Sequence, residues 1–255
     1  MDSFAFSHGG TTHDVYRSGS GPAVIVIHEM PGLHEGVLRF GERVVDAGFT
    51  AYLPSLFGRV GGPFAMGPMM WQSLRACVSR EFVMFADRTG PVVSWLRALA
   101  VRAHEECGGP GVGAVGMCFT GGFALAMAVD QTMLAPVLAE PSLPVGLTAR
   151  HRAALGLDAA DLERVKQRTR EDGLCVLGLR FSQDKLSPPE RFTRLRQELG
   201  DAFLAVEIDS SPGNAHGIGG KAHSVLTEDL VDEPGHPTRE ALDRVLALFT
   251  ERLQR

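Results

Sequence analysis

Short β-branched runs alternate with amphipathic stretches along most of the chain, and this alternation restricts the available folds more than any other feature. Residues 23–28 (Ala-Val-Ile-Val-Ile-His) read as a buried strand, because an unbroken run of branched apolar side chains suits a strand covered on both faces. A Pro-Gly turn follows, then a helical period over 35–47 that Gly48 is placed to end. The same reading gives strands at 49–53, 111–116, 133–139, 174–181 and 202–208. It gives helices at 69–87, 91–104, 120–129, 158–170, 188–199 and 237–253, the last with Leu242, Val245, Leu246 and Phe249 on one stripe. Alternation of this kind predicts an α/β chain with a doubly wound, mostly parallel sheet and helices on both faces. One domain over 1–255 is expected, and a chain of 255 residues with 44% hydrophobic content buries enough surface to need no disulfide or metal.

Composition argues against several classes of function. The net charge is −5 and no basic run stands out, which disfavours nucleic acid or an anionic membrane as partner. No stretch approaches the ~18 uninterrupted apolar residues of a spanning helix. The N-terminus has neither a basic nor an apolar leader region, so a soluble, cytoplasmic protein is expected. Cys77, Cys107, Cys118 and Cys175 are widely spaced and form no Cys-x-x-Cys pair, so they suggest neither a disulfide framework nor a zinc site. His28-Glu29 lacks the helical His-Glu-x-x-His spacing. No metal and no cofactor is expected.

Ligands of such sheets bind beyond the carboxyl ends of the strands, which directs attention to 28–32, 118–122, 182–186 and 210–223. Gly116-Met117-Cys118-Phe119-Thr120-Gly121-Gly122 sits between a strand and a helix. A sharp strand-to-helix turn with small neighbours is what a nucleophile elbow needs. The alternative, a small buried apolar cysteine, explains the thiol but not its placement. If Cys118 is a nucleophile, the backbone N–H of Phe119 can face an oxyanion, and Met30 in the loop after the first long strand can supply a second donor.

A thiol nucleophile needs a base, and the base an orienting acid. Asp184 follows a later strand and suits the acid, against the plainer reading of a turn aspartate. Asp209 is the competitor. The base should come from the last loop, which offers His216 and His223; His236, beside Pro237, reads as a surface residue. Glu29 falls at a strand end near Cys118, where it is either part of the site or a solvated rim carboxylate.

These residues resemble the dienelactone hydrolase family of α/β-hydrolases. The resemblance is carried by 24–32 (Val-Ile-Val-Ile-His-Glu-Met-Pro-Gly), 53–61 (Leu-Pro-Ser-Leu-Phe-Gly-Arg-Val-Gly), 113–122 and the run from 223 to 249. It implies the α/β-hydrolase fold, with Cys118 as nucleophile, Asp184 as acid and Glu29 as the carboxylate that interacts with the resting thiol and rearranges when substrate binds. Arg59 falls where the family binds a substrate carboxylate. His223-Ser224-Val225 is similar to the family's His-Ser-Phe and favours His223 over His216. Three departures stand out. Thr120 replaces an expected glycine. No arginine follows His223 at the family's second anion-binding position, where Thr227 is nearest. A segment at 141–157 reads as an added loop that offers a lid or a homodimer contact. The resulting expectation is a hydrolase that cleaves a small carboxylic ester or lactone through a cysteine acyl-enzyme. Its rivals are a general carboxylesterase, a redox-responsive thiol protein and a non-catalytic relative on the same scaffold.

Overall fold

The computed structural model of the chain describes residues 1–62, 90–142 and 148–254, the side chain of Arg150 excepted. The helix expected at 69–87, with Cys77 in it, lies outside the described residues, as do residues 143–147 of the expected loop.

Among the described residues, eight strands form one sheet: β1 (Asp2–His8), β2 (Thr11–Gly19), β3 (Ala23–Ile27), β4 (Thr50–Pro54), β5 (Val112–Met117), β6 (Met133–Ala139), β7 (Val176–Phe181) and β8 (Phe203–Ile208). Their order is β1-β2-β4-β3-β5-β6-β7-β8. β2 pairs antiparallel with β1 and β4, and every later pairing is parallel. The mostly parallel sheet follows from the sequence alternation. The hairpin β1–β2 does not, although its turn has a plain cause. Gly9 and Gly10 have φ of 59° and 82°, and a two-residue turn matched to strand twist requires this left-handed geometry.

The helices among the described residues are α1 (Glu35–Asp46), α2 (Pro91–Cys107), α3 (Gly121–Met127), α4 (Ala149–Ala153), α5 (Ala159–Glu171), α6 (Pro189–Leu199) and α7 (Pro237–Leu253). Side chains of β3 alternate between the two faces of the sheet. Val24 and Val26 pack with Val37 and Phe40 of α1 and Val245 and Phe249 of α7. Ile25 and Ile27 pack on the other face with Leu96 and Leu99 of α2 and Leu125 of α3. This two-sided core explains why β3 carries no polar residue, since a parallel strand buried on both faces has no solvent side. α5 starts at the expected cap, where the Asp158 side chain accepts from Asp161 N at 2.9 Å. Within the 141–157 stretch, α4 occupies 149–153. The buried Arg191 guanidinium of α6 ties the flanking backbone down by donating to the carbonyls of Ala154 at 2.7 Å and Pro141.

The parallel strands β3, β5, β6, β7 and β8 all point their carboxyl ends to one edge. The loops that leave them carry Glu29, Cys118, Glu140, Asp184 and His223 respectively.

Candidate active site

Cys118 opens a single 3-10 turn, Cys118–Thr120, between β5 and α3. Its φ is 52°, in the left-handed region that costs a residue with a Cβ roughly 1–3 kcal/mol. Surrounding bonds hold it there. The Cys118 carbonyl accepts from Gly121 N and from Ser142 N, the latter at 2.8 Å. Thr120, where the family pattern has glycine, ties the bend to the sheet. Its buried hydroxyl lies 2.9 Å from the Ile27 carbonyl and accepts from Met117 N at 3.0 Å. Gly121 lets the next loop approach, because a Cβ there would stand 2.7 Å from Pro141 Cα.

The Asp184 and His223 side chains meet. His223 Nδ1 lies 2.7 Å from Asp184 Oδ2, and the imidazole is 17% exposed. Each partner is held independently. The other Asp184 oxygen accepts from Leu186 N at 2.8 Å. The buried Arg180 guanidinium gathers the loop that bears Asp184, donating to the carbonyls of Ser187 at 2.9 Å and Ser182 at 3.2 Å. Asp229 Oδ2 accepts from both His223 N and Ser224 N, which fixes the backbone beneath the imidazole. With Nδ1–H engaged by Asp184, His223 Nε2 is the free working nitrogen. It is buried and makes no hydrogen bond of standard geometry. Burial alone would push the imidazole down. Interaction with the Cys118 sulfur and with the Asp184 carboxylate outweighs it and holds His223 well above the usual histidine range.

The two other candidates for acid and base sit elsewhere. His216 is exposed and its ring packs edge-on against His236, with centroids 5.2 Å apart. His236 itself caps α7, its ring accepting from Thr238 N. Asp209 accepts from Ser211 N at 2.9 Å and lies 3.4 Å from the Ser182 hydroxyl, and it forms no hydrogen bond with a histidine among the described residues.

Glu29 is buried, and its hydrogen-bond partners are Ser224, Thr227 and His34. Its Oε2 accepts from Ser224 Oγ at 2.6 Å, and its Oε1 accepts from Thr227 Oγ1 and lies 3.3 Å from His34 Nε2. Burial would raise this carboxyl, yet the bonds from His34, Ser224 and Thr227 win and lower it. Three donors to a charged acceptor, each about 1.5–3 kcal/mol, are enough to offset a burial cost of several kcal/mol. Among the described residues Glu29 forms no hydrogen bond with Cys118, and the Ser142 hydroxyl stands 3.0 Å from Cys118 Sγ. Thr227, at the position without the second arginine, serves as a Glu29 donor.

Met30, in the loop after β3, is positioned by its neighbour. His28 is fully buried, its Nδ1–H donates to the Glu29 carbonyl at 2.9 Å, and its Nε2 accepts from Leu56 N at 3.0 Å. Burial pushes His28 down to about 4, so it is a neutral strut between the β3 and β4 loops. Phe119 is the second residue of the 3-10 turn, directly after Cys118, with its ring edge-on to Phe57 and Phe123. Arg59 is exposed beside the same loop and forms no ion pair among the described residues.

One further buried group is absent from the sequence expectation. Glu140 follows β6 with φ of 36°, and its Oε2 accepts from Val225 N at 3.1 Å. Burial first, then the charges of Glu29 and Cys118, push its carboxyl well above the usual range against the pull of His223. A lowered Glu29 carboxyl beside a raised Glu140 carboxyl is the pattern expected of two buried carboxyls that cannot both carry charge. The signal for Glu140 is positional, since it occupies the carboxyl end of a parallel strand at this edge of the sheet.

Among the described residues, no cluster of three or more histidine, cysteine or acidic side chains could hold a metal, and no helix is long and apolar enough to cross a membrane. The solved dienelactone hydrolase of Anabaena variabilis is 15% identical, covers 99% of this chain and 97% of its own, and superposes with a TM-score of 0.63. Est1E of Butyrivibrio proteoclasticus is 13% identical, covers 98% of each chain, and gives 0.60. These two likenesses concern the fold. A Salmonella typhi protein named "Putative carboxymethylenebutenolidase" is 30% identical over 201 residues, which is 78% of this chain and 68% of the relative. The family model for dienelactone hydrolases matches residues 12–253. The chain therefore belongs to the dienelactone hydrolase family, on an α/β-hydrolase fold.

Proposed function

We propose that this member of a hydrolase family cleaves a carboxylic ester or lactone through a thioester at Cys118. The observation that carries the reading is the buried His223 imidazole, oriented by Asp184 and near enough to the Cys118 sulfur on its strained bend to be raised by it.

The steps are those of acyl transfer. The Cys118 thiolate attacks the substrate carbonyl. Backbone N–H groups of Phe119 and Met30 bind the oxyanion, each such donor typically worth about 3–4 kcal/mol. Collapse breaks the acyl–oxygen bond, and the His223 imidazolium gives its Nε2 proton to the departing alkoxide. Neutral His223 then takes a proton from water as that water attacks the thioester, and the carboxylic acid leaves. The sulfur departs as thiolate with the proton again on His223. Asp184 holds the imidazole in the required tautomer and stabilises its charged form.

The relatives' name points to a lactone that carries a carboxymethylene group. Exposed Arg59, beside the Met30 loop, suits a substrate carboxylate. Hydrolysis of a carboxylated lactone and of neutral esters by wild type and Arg59→Ala tests this. Arg59→Ala is expected to raise KM about tenfold for the carboxylated substrate, the scale of one charged contact, and to leave neutral esters unchanged. Equal loss on both, or on neither, would overturn the carboxylate role. Further expectations are a small-molecule partner and a cytoplasmic location.

A further inference from the structure

The segment leaving β6 meets the reactive sulfur at two points. The Ser142 backbone N–H donates to the Cys118 carbonyl at 2.8 Å, and its hydroxyl lies 3.0 Å from Cys118 Sγ. The first bond sets the distance between the two chains, and the second is then a matter of one side-chain torsion. The Ser142 hydroxyl makes no other hydrogen bond among the described residues, and the residue is 7% exposed.

The segment itself is held from several sides. Glu140 turns out of β6 in the left-handed region, with its N–H donating to the Leu179 carbonyl at 2.8 Å and its carboxyl accepting from Val225 N. The Pro141 carbonyl accepts from the buried Arg191 guanidinium. A hydroxyl held this firmly against one sulfur is pre-organised for it, as a hydroxyl on a mobile loop would not be.

The chemistry of the two atoms sets the direction of the bond. A hydroxyl is a good donor and a thiol a weak one, while a thiolate can only accept. When the proton shared by the site resides on His223, the sulfur is charged and Ser142 must be the donor. Glu29, whose oxygens are engaged by His34, Ser224 and Thr227, is not placed to donate to it.

We propose that Ser142 is a catalytic residue: its hydroxyl donates a hydrogen bond to the Cys118 sulfur and stabilises the thiolate that attacks the substrate. The inference rests on the reading of Cys118 as nucleophile. It gives the loop after β6 a side-chain contact with the reactive sulfur, where the resemblance placed the carboxylate after β3 against the resting thiol.

The test is the pH dependence of Cys118 alkylation by iodoacetamide in the intact chain. The modified peptide is mapped by mass spectrometry so that Cys77, Cys107 and Cys175 do not contribute. Wild type is compared with Ser142→Ala and Ser142→Thr, and ester turnover is measured in parallel, including Cys118→Ala. Both substitutions keep the backbone bond to Cys118. Ser142→Ala is expected to move the alkylation midpoint up by about one pH unit, a roughly tenfold loss of thiolate below it, and Ser142→Thr to restore the wild-type midpoint. An unchanged or lowered midpoint in Ser142→Ala, with Cys118→Ala inactive, would overturn the Ser142 role and leave the nucleophile standing. Turnover surviving in Cys118→Ala would instead overturn the nucleophile itself.

Discussion

His223 Nδ1 stands 2.7 Å from Asp184 Oδ2, although 39 residues separate them in sequence. The pair forms because β7 and β8 are neighbours in the sheet and release their loops at the same edge. His223→Ala should lower kcat/KM by about 10³–10⁴-fold, and His216→Ala should keep most of it, since His216 is exposed against His236. Steady-state hydrolysis of one activated ester by both variants checks this, and the reverse ranking would reassign the base.

Asp184→Asn should lower kcat by about 10²–10⁴-fold and also change the alkaline limb of the pH profile. His223 is held above its ordinary value partly by Asp184, so its charged form persists to higher pH than a free imidazole. The stability this pairing contributes is complete below the unfolded value of 6.5 and is lost as pH rises through the elevated folded value. Removing the carboxylate should shift the alkaline limb to lower pH, as read from kcat/KM across the neutral and alkaline range. An unmoved limb would mean that another group controls it.

Glu29→Gln replaces an acceptor by a partial donor facing His34, Ser224 and Thr227. A cost of about 1–3 kcal/mol is expected, with the melting temperature falling by roughly 2–4 °C per kcal/mol for a chain of this size. The Glu29 carboxyl is lowered, so its contribution is present above the unfolded value of 4.5 and lost as pH falls through the folded one. The gap between variant and wild type should close in acid. Calorimetry that shows a constant gap from acid to neutral pH would contradict the charged state of Glu29.

Glu140→Gln should act in the opposite sense. A buried carboxyl raised above its unfolded value binds its proton more tightly when folded, so stability falls as pH rises from 4.5 through the elevated value. Glutamine keeps the acceptor for Val225 N and cannot ionise. The variant should melt a few degrees higher than wild type in alkaline buffer and at nearly the same temperature near pH 4.5. A lower melting temperature at alkaline pH would show that Glu140 is needed as an anion.

Much of this arrangement was legible because it depends on local periodicity. Helix 237–253 was read to the residue, and the parallel strands to within one or two, since a two-sided core imposes unbroken apolar runs. The β1–β2 hairpin was not read, although Phe4 and Phe6 alternate with the small residues Ser3, Ala5 and Ser7 and His8-Gly9-Gly10-Thr11 is a primed-turn signal. An edge ribbon buries only one face, and its pattern is correspondingly weaker. Asp184 and His223 were legible as strand-end residues, while the choice between His223 and His216 depended on the resemblance. The partners of Glu29 were not legible. His34, Ser224 and Thr227 reach it from separate loops, and no spacing in the sequence records that meeting. Ser142 and Glu140 were missed for a related reason, since they lie on a loop without a motif whose role depends only on what stands opposite.

The central claim is that the acyl group passes through the Cys118 sulfur, and trapping that intermediate tests it most directly. Wild type and His223→Ala are mixed with p-nitrophenyl acetate, quenched in acid within the first turnover and mapped by mass spectrometry. One acetyl group per chain is predicted on the peptide that holds Cys118, persisting longer in His223→Ala because deacylation loses its base. Acetate release with no adduct on Cys118, or an adduct on another side chain that forms at the turnover rate, would contradict the account.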